Sequence, residues 1–551
     1  MLSIFPIGGI GNVTKNMYVY EVGNDMLIVD CGIGFPDETM PGVEVLVPDT
    51  QYIQDRLQQG ANLCGIVLTH GHDDHIAALP YVYNEIGAAN VEIYGSPLTA
   101  EFAKARLEDK GISHDVKQYP EGVLQLGPFG IENIRVTHSI PDARHLVIRT
   151  PEGIVYHGSD FKIDLTPIDG QRTDLQKIAN IGEEGIMCAL LDCLRIERRD
   201  PTPSEMEIGP ALRREMYGVK GKIMITLMSS NLHRVQQVID LCEEFGRKLT
   251  FIGRSVEQNV NVAMNMGILK FPPNMKLNKK NLAEIPDEQL CIVIAGSQGQ
   301  AGSSLVRAVT GDHQIVSLSK GDKVIFASDP IPGSESAVYG TIDAISEQGV
   351  EVAYSDISPG LHVSGHAGEY EQMLMVHLLR AKYLFPIGGE ERHRVQFGLK
   401  VQDHGYKSKQ LVLPHYGKLV EFSKGEMKYG GQVNLRERTV TVEGSTVGII
   451  EEDLLERTKL GTQGMVVMVM NKVIDRYDLN EIFIEERGLS LGSEERQEEF
   501  YGQVKATVKD VVKNFDGNEH ALASTLEKAI FGVLRREFNR TPVVMAIINV
   551  V

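Results

Sequence analysis

The sequence predicts an α/β fold in which one unit of strands and helices is interrupted by a second, followed by a small α+β tail. Three observations carry this prediction. Short β-rich runs alternate with helix-length stretches. Acidic and imidazole side chains recur just past the ends of those runs. The style of residues 1–200 resumes after residue 354, beyond a differently patterned block.

In order along the chain, MYVYEV, MLIVDCG, CGIVLTH and VEIYGS read as strands, and SPLTAEFAKARLEDKG as a helix between them. Asp30 ends MLIVD, His70 follows CGIVLT, His138 follows IENIRVT, Asp160 follows GIVYHGS and Asp192 follows MCALL. Strand ends are where sites on such sheets collect. Past Pro201 and Pro203, the runs KIMITLMSS, KLTFIGRS, QLCIVIAGS and DKVIFASDP with the helix HRVQQVIDLCEEFG predict a parallel α/β unit over residues 201–354. Residues 355–440 then complete the first unit, so the second is inserted within it. Residues 441–551 read as a linker and an α+β domain, with amphipathic helices near 494–515 and 519–538 and a last strand.

Composition narrows the chemistry. Over 551 residues, 42% hydrophobic and 23% charged excludes wholesale disorder and collagen-like or mucin-like repeats. With 55 Lys and Arg against 74 Asp and Glu, the formal charge of -19 supplies no global field for a polyanion, so nucleic-acid contacts must be local. The six cysteines lack metal spacing and suit a reducing compartment, which points to the cytoplasm. No basic start with an apolar stretch opens the chain, and no run reaches the about 18 apolar residues a membrane span needs. No membrane role is expected.

The strongest chemical signal is THGHDDH, with His70, His72, Asp74 and His75. Neutral imidazole nitrogen and carboxylate oxygen suit zinc or manganese. His70 and His72 can point at one metal while Asp74 and His75 turn onto a neighbour. The cluster resembles the signature of the metallo-β-lactamase fold, with His138 in THSIPD and Asp160 in HGSDFK standing where that family has its later ligands. Asp30 matches the family's early Asp, which orients a ligand.

The inserted unit narrows the resemblance to the β-CASP nucleases, and within them to ribonuclease J. GGIGNVTKNMY, LTHGHDDHIAALPY, SSNLHRVQQ, GRSVEQN, AGSQGQ, DPIPGSE and HVSGHAGE carry that resemblance over nearly the whole chain. It implies an αββα sandwich, an inserted parallel β-CASP domain and an α+β C-terminal domain. It also implies two Zn2+ ions, with Mn2+ or Mg2+ as alternatives: His70, His72 and His138 on one, Asp74 and His75 on the other, Asp160 between them. The implied catalytic set is Asp74, Asp160, Asp192 and His366, with His366 as general acid. Ser229, Asn231, His233, Arg254, Ser255, His362, Ser364 and His366 would line the path of RNA and its 5′ phosphate.

The chain departs from the family at several points. Where the family reads HGEYRH, this sequence reads GGEERH, so Gly388 replaces a His ligand and the second metal should be weakened. Glu390, Glu391 or His393 could swing in to compensate. The acidic motif at Asp192 continues Cys193, Leu194, Arg195, and Gln300 and Ala301 replace the usual Glu-Pro. The expected function is a metal-dependent ribonuclease, a 5′-to-3′ exonuclease and/or endonuclease in RNA processing and decay. The alternative is a catalytically impaired RNA-binding or scaffold subunit partnering an active homologue. A small-molecule hydrolase would not explain the insertion. Arg254, Arg234 and Lys162 are expected as local cations for RNA, KLNKK at 276–280 as a solvated face, and the tail as a contact for a homodimer or homotetramer.

Overall fold

The computed structural model describes residues 1–36, 40–331, 333–441, 451–474 and 476–550. Pro332 in DPIPGSE and the stretch 442–450 of the linker lie outside the described residues. The chain divides into one unit of Met1–Phe35 with Val45–Glu437 and another of Pro36–Glu44 with Arg438–Val551.

The larger unit is an αββα sandwich with a second α/β layer system inserted. One sheet has eight strands, its centre formed by Leu2–Pro6, Tyr18–Val22, Asp25–Val29 and Asn62–Val67 in that order. The facing sheet has six, in the order Tyr383–Ile387, Ile186–Asp192, Gly153–Gly158, Arg144–Thr150, Phe129–Arg135 and Leu124–Leu126. Alternate side chains of both sheets meet in one core: Ile4, Tyr18, Tyr20, Leu27 and Val29 pack with Leu146, Ile148, Val155, Leu190 and Phe385. The outer face of the six-stranded sheet is covered by Leu175–Glu183, Glu369–Leu379 and Glu391–Asp403, through Ile178, Ile181, Val376, Leu379 and Phe397.

The chain leaves the six-stranded sheet after Asp192 and returns in Tyr383–Ile387, which pairs parallel with the strand it left, Asp192 opposite Ile387. Between them lies a five-stranded all-parallel sheet in the order Lys248–Ile252, Leu290–Ile294, Ile223–Thr226, Lys323–Phe326 and Glu351–Ala353. Near-continuous burial of these strands is what a sheet covered on both faces requires.

Buried polar groups tie the insert back to the sandwich. Arg234, 1% exposed, donates from Nε to Glu205 at 2.8 Å and from Nη2 to its other oxygen at 3.1 Å. Glu371 accepts backbone N–H groups from Ile163, Thr202 and Gly368. Lys162, also 1% exposed, donates to the Pro203 carbonyl at 3.1 Å. The expectation that Arg234 and Lys162 meet RNA is therefore corrected: both cations are buried beneath the surface and paired within the protein.

In the smaller unit, Met465–Val473 runs parallel to Val543–Val550 and antiparallel to Phe483–Arg487. The helices Glu494–Lys513 and Glu519–Glu537 bury Phe500, Val504 and Val508, and Leu522, Leu526, Ile530 and Leu534, against one face of that sheet. The spacing of four keeps each set on one helical stripe. No helix among the described residues is long and apolar enough to cross a membrane.

Candidate metal centre

Asp30 follows the strand Asp25–Val29 in the left-handed region, with φ at 59°. That turn lets its buried carboxylate face the loop after Asn62–Val67. It accepts Thr69 N–H at 2.7 Å and the Thr69 hydroxyl at 2.8 Å, and it meets His75 Nδ1 at 2.8 Å. The THGHDDH segment is thereby held against the first sheet, and Asp73–Ile76 turns helical, which brings Asp74 and His75 into a second donor group while the His75 ring stays 4.0 Å from that of His70.

The two ends of the segment join residues from distant strands. His70, His72, His138 and Asp160 place one donor atom each within 4.8 Å of one another; Asp74, His75 and Asp160 form a second such group, and Asp160, Asp192 and His366 a third. Asp160 Oδ2 is the common point, with His75, His138, His70 and His366 Nε2 at 3.5, 3.6, 3.7 and 3.8 Å. His366 is fixed by Asp192, whose Oδ2 lies 2.7 Å from its Nδ1.

The donors fit divalent cations. His138 Nδ1 is 2.8 Å from the Gly365 carbonyl and so carries the proton, leaving the Nε2 lone pair turned inward; His75 Nδ1 is set the same way by Asp30. Inside, the nitrogens of His70 and His138 each lie 3.1 Å from His72 Nδ1. Burial and neighbouring imidazoles hold His70 and His138 well below the ordinary histidine range, and burial takes His72 down to about 4, so these rings stay neutral and ready to ligate. On the other side, burial pushes Asp74 up to about 6, and burial on His75 is outweighed by Asp160, Asp74 and Asp30, which hold it above its usual value. Buried negative charge of this density calls for a cation.

Position 388 lies at the edge of this centre. Gly388 has φ at 66°, and a Cβ there would stand 3.5 Å from Asp192 Oδ1 and 3.7 Å from Asp160 Oδ1. None of the nearby candidates fills the space. Glu390 pairs with Arg392, Glu391 with Arg394 at 2.5 Å, and His393 Nδ1 accepts the Glu390 N–H at 3.2 Å while its Nε2 faces Glu197.

The residues expected along an RNA path scatter in accessibility. Arg254, first in the helix Arg254–Asn265, is exposed, and Ser255 and Ser229 are half-buried, Ser229 accepting from Asn259 at 3.1 Å. His233 stands 3.3 Å from Asp169, Ser364 accepts the His366 N–H at 3.1 Å, and His362 lies 3.4 Å from Arg234. Asn231 is 2% exposed and caps the helix Leu232–Glu244 while donating to Glu205, so its amide serves the fold. In KLNKK, Lys276 donates to Asn261 and Lys279 pairs with Glu257; the side chain of Lys280 lies outside the described residues. Sequence reasoning missed Thr69, the Gly365 carbonyl and Asn16, whose Nδ2 lies 3.1 Å from His75 Nε2. Thr69 stands inside the THGHDDH run itself, and Asn16 and Gly365 stand inside GGIGNVTKNMY and HVSGHAGE, where residue type alone does not mark either as a partner of a ligand.

Comparison with known proteins accords with this geometry. Residues 220–345 match "Ribonuclease J, beta-CASP domain", residues 10–152 "Metallo-beta-lactamase superfamily" and residues 453–551 "Ribonuclease J C-terminal domain". Ribonuclease J of Synechocystis sp. is 35% identical over 472 residues, 85% of this chain and 72% of that protein. The chain belongs to the ribonuclease J family. Ribonuclease J 1 of Streptococcus pyogenes is 33% identical and ribonuclease J of Thermus thermophilus 34%, each over 85% of this chain and 82% of the relative. A crystal structure of a protein of unknown function from Enterococcus faecalis shares the fold at a TM-score of 0.50 and 14% identity, over 76% of this chain and 99% of that one. Family and donor set together make this a metal-binding hydrolase fold.

Proposed function

We propose that the chain is a metal-dependent ribonuclease that hydrolyses RNA phosphodiester bonds in RNA processing and decay, from a 5′ end, internally or both. The observation that carries this reading is the convergence of His70, His75, His138 and His366 on Asp160, with the His366–Asp192 pair beside them. His70, His72, His138 and Asp160 would hold one cation, for which Zn2+ is the natural fit, and Asp74, His75 and Asp160 a second and weaker one. Bound cations polarise water and offset the charge that develops on the phosphoryl oxygens.

The protein's own groups do the rest. Asp160 stands between the two donor sets and aligns them. His366 lies with Nε2 toward Asp160 and Nδ1 on Asp192; burial alone would lower its pKa, but Asp192 and Asp160 raise it to about 9. Held this way, His366 is the group placed to deliver a proton to the 3′ oxygen as the P–O3′ bond breaks and water oxygen joins the phosphorus. Exposed Arg254, with Ser255, Ser229, His233, His362 and Ser364, would steer the RNA backbone and its 5′ phosphate.

Two further features support the remaining parts of the reading. All six cysteines are free, in keeping with a cytoplasmic location. The tail leaves Phe483 and Met545 exposed at 59% and 45%, apolar surface suited to a homodimer or homotetramer, or to a homologous subunit. The scaffold alternative rests on Gly388 alone, and every other donor is assembled. Incubation with a 5′-monophosphorylated RNA tests the function: cleavage that a chelator abolishes and added metal restores supports it, whereas binding without cleavage under every metal tried would favour the scaffold.

A further inference from the structure

The two donor sets on either side of Asp160 are chemically unlike. One offers three imidazoles and a carboxylate, the other one imidazole, His75, and the carboxylates of Asp74 and Asp160. The substitution at position 388 sharpens the contrast. With glycine there, no ligand comes from that strand end, and the atoms nearest to where a Cβ would stand are carboxylate oxygens, Asp192 Oδ1 at 3.5 Å and Asp160 Oδ1 at 3.7 Å. Asp192 Oδ2 is engaged by His366, but among the described residues Oδ1 accepts only the Leu194 N–H, at 2.9 Å, and keeps a lone pair. Glu390, Glu391 and His393 are committed to Arg392, Arg394 and the Glu390 N–H and bring no nitrogen to the space.

Imidazole-rich tetrahedral sets suit zinc, while carboxylate and water oxygens suit manganese and magnesium, which take more ligands and keep more water. We propose that the two positions differ in metal preference: zinc at His70, His72, His138 and Asp160, and Mn2+ or Mg2+ at Asp74, His75 and Asp160, with Asp192 as an added oxygen donor. This rests on the reading above that both groups hold cations. Zinc out-binds manganese at most sites, so the claim concerns relative discrimination. The oxygen-rich position takes the harder ion whenever that ion is in excess, and the imidazole-rich position does not.

The test uses the full chain, stripped by chelator and dialysed against a hundredfold excess of free Mn2+ over Zn2+, with metal content read by mass spectrometry and bound Mn2+ by electron paramagnetic resonance. One zinc and one manganese per chain are expected. G388H supplies a second imidazole in a conformation histidine tolerates better than most residues, and should exchange the manganese for zinc. D192N should lower Mn2+ affinity at least tenfold while the single zinc stays. Two zinc ions, or two manganese ions, in the unsubstituted protein overturn the selectivity and leave the metal centre standing, as does Mn2+ binding indifferent to D192N. No metal retained under any condition overturns the selectivity and the metal-centre reading together. If G388H fails to fold, the loading of the unsubstituted chain and D192N still decide.

Discussion

Replacing Asp30 with Asn changes one atom's role in a buried triangle of hydrogen bonds. The carboxylate now accepts Thr69 N–H on Oδ1 and both the Thr69 hydroxyl and His75 Nδ1 on Oδ2. Asn keeps the volume, and it tolerates the left-handed backbone at this position, which Ala would strain. The amide oxygen can retain Thr69 N–H, and the Thr69 hydroxyl can turn to accept. His75 Nδ1–H would then face an N–H. The imidazole escapes by moving its proton to Nε2, which removes the lone pair that faces Asp74 and Asp160. Losing such a support weakens metal binding about 10-fold to 100-fold, or about 1.4 to 2.8 kcal/mol. Calorimetric titration of zinc-loaded D30N with Mn2+ should show that loss at the position of Asp74, His75 and Asp160, with the single zinc retained. A folded D30N with Mn2+ affinity unchanged would refute the argument that Asp30 sets the His75 tautomer.

Other outcomes follow from the same structure. Burial pushes His145 and His157 down to about 3 from an ordinary 6.5. The unfolded chain therefore takes up protons that the folded one refuses. Stability present above pH 6.5 falls away as pH drops, by about 2 kcal/mol per imidazole at pH 5, and thermal melts of H157N should show a shallower acid dependence. Truncating Glu205 to Ala leaves Arg234 charged and buried and should cost about 3 to 5 kcal/mol in urea unfolding, whereas E205L with R234M together should cost less than either alone. In the smaller unit, L526A removes a fully buried side chain and should cost about 2 to 5 kcal/mol there, with metal content per chain unchanged.

How much of this was legible depends on whether the signal was local. THGHDDH announces itself, because three imidazoles in six residues after a buried run have few uses. The tail helices were readable from the spacing of Phe500, Val504 and Val508 and of Leu522, Leu526, Ile530 and Leu534. The inserted unit was readable because its strands are buried on both faces and carry unbroken apolar runs. The pairing of Asp192 with His366, 174 residues apart, came from the resemblance. Only the parallel register of Asp192 against Ile387 brings Gly388 beside Asp192 and Asp160. Arg234 and Lys162 were misjudged because a basic side chain reads the same whether it meets solvent or a buried acceptor; Glu205 decides for Arg234 and the Pro203 carbonyl for Lys162, and nothing near Arg234 in the chain announces its partner. Backbone partners such as the Gly365 carbonyl on His138 carry no residue-type signal.

The most direct measurement is anomalous diffraction from crystals of the full chain grown with Zn2+ and Mn2+, recorded at both absorption edges. One peak bounded by His70, His72, His138 and Asp160, with a second bounded by Asp74, His75 and Asp160, is the predicted result. Density that leaves these side chains bare and places the ions elsewhere would contradict it.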